Sequence, residues 1–381
     1  MTLSVAACSQ ATLSRAAGPA AGSVAAEPAA MAEYRAKLAV YEQAHGAYEA
    51  KAKAYWNAIS EKRKLRRAKR RKHMRVAASD YVLTQPPVYS GPRRPKNPFA
   101  PPTQPREQRR IPVVADFLKA ARQVYGFVPD RPRDELEFKR AYARAALAAG
   151  LDKAQVVGIY AFETGGHGAY DTQAGLLYNR PGAHAISPAL GYNQLLSTLT
   201  ISLLAKHGHH VVAALRAKER ELNGEARVRM ARKIAALQRM IAVARSVPHS
   251  WSAYGRLAKH TAKGMGMHAV LLDVDIGPLL QVENLASSLH FAHVKGYQGR
   301  MSAAELELMN LAGAGNGIDM IMMPQSLRER VPTSNFFVAS GYWRNPIARR
   351  TKVVAGLIAE IQNHINRAEK NAGAQELASA F

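Results

Sequence analysis

The chain has 381 residues, 48% of them apolar, and its 53 Lys and Arg outnumber 28 Asp and Glu to give a formal charge of +25. This length and apolar share exclude a disordered chain and fit one large or two smaller cored domains. The lone cysteine, Cys8, excludes an intrachain disulfide and a cysteine-based metal site, while the charge calls for an anionic partner: lipid headgroups, nucleic acid or an acidic wall polymer.

Residues 1–8 end in Val5-Ala6-Ala7-Cys8, which resembles a truncated lipoprotein signal: small residues precede a cysteine that is lipidated after cleavage. A lipid on Cys8 would anchor the chain to a membrane surface. Residues 9–30 are Ala, Gly, Ser and Pro and read as a flexible tether. Within residues 31–75, Tyr34, Tyr41, Tyr48 and Tyr55 recur every seven positions, with Leu38, His45, Ala52 and Ile59 between them. That 4-3 spacing predicts a helix with one apolar seam over residues 34–59, free to self-associate or to lie on another surface. Gly46 and the bulky tyrosines weaken it as a dimer seam. The helix continues into residues 62–75, where ten of fourteen residues are Lys or Arg. Each basic residue contributes about 1 kcal/mol near an anionic bilayer, so an anionic membrane surface or wall polymer is the expected partner of this run. Nucleic acid is not expected, because no aromatic residue interleaves the run after Trp56 and no nucleic-acid motif accompanies it. Residues 76–112 hold nine prolines and read as an extended, coreless linker. Residues 1–112 carry 21 basic and seven acidic residues, so over half of the excess charge lies outside the presumed globular part.

Residues 113–381 show helical periodicity with few alternating runs. Helices are predicted over 113–125, 134–149, 152–163, 193–207, 209–223, 225–247, 276–294, 303–311 and 352–372, with a mixed stretch over 250–269 broken by Gly264 and Gly266. The fold class is all-α, with α+β character at most from a small hairpin in 164–190 or 264–275.

The helix from Asp152 ends in Glu163-Thr164-Gly165-Gly166. Asp152 suits an N-cap, Val156, Val157, Ile159, Tyr160 and Phe162 supply a buried stripe, and the glycines stop the helix. Glu163 therefore meets the negative end of a helix dipole and apolar neighbours, and both raise a carboxyl pKa toward that of a general acid at neutral pH. The alternative is a helix-end carboxylate turned to solvent. Asp171, eight positions on, is the nearest second carboxylate; Asp273 and Asp275 have no supporting context. His167 has no partner at ligand spacing, and His207, His209 and His210 fall at an expected helix break without an acidic third ligand nearby. No metal and no cofactor are expected.

Glu163-Thr164, Gly191-Tyr192-Asn193-Gln194, Asn310 in a helix followed by Gly313, and the late Tyr342 occur in an order that resembles the lytic transglycosylases of the lysozyme-like superfamily. The likeness covers roughly residues 130–365. Thr164 replaces that family's Ser, Tyr192-Asn193 its Leu-Met, and Met309 its Tyr. The resemblance implies a lysozyme-like catalytic domain over 113–381 that cleaves the MurNAc–GlcNAc β-1,4 bond of peptidoglycan strands without a cofactor. Glu163 would act as the single acid/base, Tyr192, Gln194, Asn310 and Tyr342 would contact the glycan, and attack by the sugar's 6-hydroxyl would leave a 1,6-anhydro end. It also implies a periplasmic place in a bacterial envelope, lipid-anchored if Cys8 is acylated. The alternatives are a non-catalytic peptidoglycan-binding scaffold, or a lysozyme-type hydrolase using Asp171.

Overall fold

The computed structural model describes residues 23–101, 110–176 and 183–381, with side chains from residue 29 onward. Cys8 and most of the tether lie outside the described residues. The fold is all-α: among the described residues, strand pairing is confined to the isolated bridges Gln173↔Leu190, Leu190↔Leu195 and Pro332↔Val353. Of the two stretches that could have held a small hairpin, 164–190 shows only bridges among its described residues and 264–275 is largely helical. The chain forms two compact units, residues 1–57 with 86–107, and residues 58–85 with 108–381.

In the first unit, helix α1 (Ser23–Arg71) carries the tyrosine seam. Tyr34, Leu38, Tyr41, His45, Tyr48, Ala52 and Tyr55 are all part-buried, whereas most positions between them are exposed. The Pro-rich stretch supplies part of the cover. Tyr89 packs edge-on against Tyr41, His45 and Tyr48 at ring separations of 6.2, 5.2 and 5.4 Å, and its hydroxyl donates to the Pro92 carbonyl at 2.7 Å. Pro92, Pro95 and Pro98 line a cavity of about 790 Å³ together with Tyr34, Lys37 and Val40. Residues 89–98 therefore pack along α1, where an extended, coreless linker was expected. Prolines leave few amide donors to satisfy, which suits an extended segment laid along a helix.

In the second unit, the end of α1 is docked, and roughly half of the basic run is used internally. Arg66 is 2% exposed; it donates to the carbonyls of Asp80 (2.9 Å) and Asn335 (3.0 Å), with its guanidinium 4.5 Å from the Tyr81 ring centre. Burial lowers its pKa to about 10. Arg63 donates to the Phe337 carbonyl at 2.5 Å, Lys69 pairs with Asp80 at 2.7 Å, and Arg70 pairs with Asp319. Only Lys64, Arg67, Arg71, Lys72 and Arg75 of the ten remain exposed, so half of the run is left for the anionic partner expected of it. Arg66→Ala should cost about 2 kcal/mol, because it strands the buried Asp80 carbonyl, leaves the Asn335 carbonyl only the longer bond from Arg63 at 3.3 Å and removes a packed cation, and denaturant unfolding will measure it.

The remaining helices are α2 (Val114–Tyr125), α3 (Glu135–Ala148), α4 (Lys153–Thr164), α5 (Ser197–Glu221), α6 (Gly224–Arg245), α7 (Trp251–His260) and α8 (Ala262–Met267). After a 3-10 turn come α9 (Gly277–Val294), α10 (Ala303–Ala312), α11 (Ala314–Ile321), α12 (Gln325–Arg328), α13 (Ala339–Arg344), α14 (Pro346–Thr351), α15 (Val354–Ala368) and α16 (Ala372–Ser379). One core joins α2 and α5 to α9 through Phe117, Leu204, Leu237, Met240, Tyr254 and Leu280. Helix α5 runs unbroken through the position where a break was expected. Gly208 is tolerated inside it because a Cβ there would lie 2.6 Å from Ile241 of α6, so the glycine permits close packing. Among the described residues, no helix is long and apolar enough to cross a membrane, and only the bent pair 262–272 and 277–294, turned by 96°, approaches the required length and composition.

Candidate active site

Helix α4 opens on a capping box, with Asp152 accepting from the Gln155 amide at 3.0 Å and the Gln155 side chain accepting from the Asp152 amide at 3.0 Å. It closes on Gly165, whose φ of 64° favours glycine. The C-terminal segment satisfies carbonyls at this end: Asn371 Nδ2 donates to Gly165 O at 2.8 Å and the Ala374 amide to Gly166 O at 3.2 Å. A Cβ on Gly166 would meet the Ala368 carbonyl at 2.2 Å, so the closeness of that segment requires glycine.

Glu163 sits in the last turn of α4, half-buried. Asn310 Nδ2 of α10 donates to its Oε1 at 2.7 Å. Burial pushes the Glu163 pKa up to about 8 against the opposing pull of that hydrogen bond. The two helices approach closely because α4 presents Gly158, where a Cβ would lie 2.4 Å from Ala303 Cβ. Asn310→Ala should raise the Glu163 pKa further, since the hydrogen bond that favours the charged form is lost; carboxyl ¹³C NMR across a pH series will read the shift.

The sequence reading overlooked the second carboxyl, which belongs to Glu307. It lies three residues before Asn310 on the same helical face, 1% exposed, with Oε2 lacking a hydrogen-bond partner. Burial and the Glu163 charge raise its pKa well above the ordinary carboxylate range. Two carboxyls that cannot both ionise cheaply retain a proton between them near neutrality. The available signal was an acid within the otherwise apolar run Leu306-Glu307-Leu308-Met309, hidden by the adjacent capping residue Glu305.

Asn310 is thus brought to Glu163, but the other predicted glycan contacts serve the fold. Tyr192 is fully buried, donates to Glu135, and packs its ring against Phe138, Tyr142 and Tyr160 at 5.2, 5.3 and 4.9 Å. Gln194 has φ 42°, and its amide closes the turn by donating to Thr172 O (3.0 Å) and Gly191 O (2.8 Å). Tyr342 is 3% exposed among Phe337 and Trp343. Asp171 pairs with Arg131 at 2.6 Å, and Asp273 and Asp275 bind Lys233 at 2.9 and 2.6 Å. Glu163 lines none of the four prominent cavities. The histidines also differ from expectation: His207 and His210 meet an acidic residue, Glu283 of α9. No protein-family model, curated protein or solved structure matches the chain significantly.

Proposed function

We propose that the chain is a peptidoglycan lytic transglycosylase, with Glu163 as its acid/base. The observation that carries this reading is the half-buried Glu163 carboxyl, raised to about 8 and held by Asn310. At pH 7 such a group is about nine-tenths protonated, so it can deliver a proton to a glycosidic oxygen and then, as carboxylate, accept one from the sugar's 6-hydroxyl. Glu307 keeps that proton available by making double ionisation costly. The intramolecular hydroxyl replaces an activated water and gains from proximity.

The absence of Glu163 from the lining of the four prominent cavities favours one second reading, a domain that binds peptidoglycan without cutting it. Incubation of the purified chain with sacculi separates the two. Soluble muropeptides one water lighter than reducing-end products support the transglycosylase; sedimentation with sacculi and no soluble product supports the binding domain. Release of reducing ends alone contradicts both. In either case, the envelope and the anionic surface near residues 62–75 are the proposed setting, with five exposed basic residues left to meet that surface.

A further inference from the structure

We propose that His207, His210 and Glu283 form a binding site for one divalent transition-metal ion, with Zn²⁺ the ion best suited to the ligands. The site is separate from Glu163 and does not depend on the reading of that residue. His207 and His210 lie three residues apart on α5 and so share a face, and Glu283 comes from α9, which packs on it. His207 Nδ1 is 2.9 Å from Glu283 Oε1, His210 Nδ1 is 3.4 Å from Glu283 Oε2, and one donor atom from each residue lies within 4.8 Å of the others. Zinc bonds of about 2.0–2.2 Å to nitrogen and oxygen place neighbouring tetrahedral ligands roughly 3.3 Å apart, so small side-chain adjustments suffice.

A second observation concerns the free nitrogen of His207. Ser287 Oγ lies 3.3 Å from His207 Nε2, one turn beyond Glu283 on α9. With an ion bound, a proton on Nε2 that donates to this hydroxyl leaves the Nδ1 lone pair for the metal. Metal-bound histidines are oriented in this manner by a partner on the other ring nitrogen.

The frame is also stiff. Gly208 fixes α5 closely against Ile241 of α6, while the adjacent residues turn His207 and His210 toward α9. His207 and Glu283 are part-buried and His210 is exposed, so the position opposite the ligands faces solvent and would take a water molecule. Two imidazoles and one carboxylate suit Zn²⁺ and fit Mg²⁺ or Ca²⁺ poorly, since those ions prefer an all-oxygen set. Binding takes up the two Nδ1 lone pairs and releases any proton held there; nothing is oxidised or reduced.

The test is calorimetric titration of Zn²⁺ into the full chain, free of any polyhistidine tag and stripped with EDTA. One ion should bind per chain. His207→Ala with His210→Ala should weaken that binding by about 100-fold or more, and Glu283→Gln by roughly tenfold. His293→Ala, at another exposed histidine, should leave it unchanged. Circular dichroism will establish that each variant keeps its helices, and X-ray absorption of the 1:1 complex should show imidazole scattering. Equal binding by wild type and the double variant, or no stoichiometric binding at all, overturns the site.

Discussion

Glu163→Gln should abolish release of soluble muropeptides from sacculi, with a loss of at least about a hundredfold, while stabilising the fold at alkaline pH. The two effects share one cause. Glutamine keeps the size of the side chain and an acceptor for Asn310 Nδ2, which donates to Glu163 Oε1 at 2.7 Å, but it can neither give nor take the proton. It also removes a buried charge from beside Glu307. The sign of the pH effect follows from the direction of the shift. Glu163 moves from an ordinary value of 4.5 up to about 8 on folding, so the folded chain binds more protons than the unfolded chain between those values. Stability from this group is therefore full below pH 4.5 and lost as pH rises through 8, at no more than about 1.4 kcal/mol per pH unit. In Glu163→Gln this slope should flatten. Thermal unfolding from pH 5 to pH 9, run beside the sacculus assay, measures both. Full activity in Glu163→Gln ends the catalytic assignment; an unchanged pH slope ends the account of the buried carboxyl pair.

What the sequence made legible was periodic or local. The seam of Tyr34, Tyr41, Tyr48 and Tyr55 predicted the half-buried stripe of α1, since helical spacing alone decides which residues share a face. Asp152 and Gly165 bracketed α4 because caps are read within four residues of where they act. Asn310 and Glu163 were each singled out, and they meet across 147 positions of sequence. Partners that depend on packing were not legible. Arg66 read as one of ten interchangeable cations until Asp80 and Asn335 surrounded it, and Glu307 drew no reading at all until packing buried it beside Glu163. Tyr192 matched a motif position, yet Phe138, Tyr142 and Tyr160 enclose it; a motif records spacing and not which way a side chain turns. Glu283 escaped notice because it reaches the histidines from a helix more than seventy residues away.

Lys233→Met should destabilise the chain by about 3–5 kcal/mol, lowering Tm by roughly 10 °C at neutral pH. Its ammonium lies 2.7 Å from Asp130, 2.9 Å from Asp273 and 2.6 Å from Asp275, with the Lys233 side chain 5% exposed and that of Asp273 not exposed at all. Burial works to lower the Lys233 pKa, but the charges of Asp273 and Asp275 raise it above the ordinary lysine range, so the cation is secure. Asp273 in turn accepts the amides of Asp130 (2.8 Å), Asp275 (3.0 Å) and Ile276 (3.1 Å), which fixes the turn from the 268–272 helix into α9. Methionine fills much of the same volume, so the loss comes chiefly from the uncompensated carboxylates. Two consequences separate this account from simple packing loss. The penalty should shrink as pH falls, because burial already pushes the Asp273 pKa up to about 6 and removal of its cation drives it higher, so the group takes up a proton in the variant. Adding Asp273→Asn to Lys233→Met should recover part of the loss, giving a coupling of about 1 kcal/mol or more in a double-mutant cycle. A penalty independent of pH, with additive single effects, means that Lys233 acts through its methylenes and that the buried charges contribute nothing net.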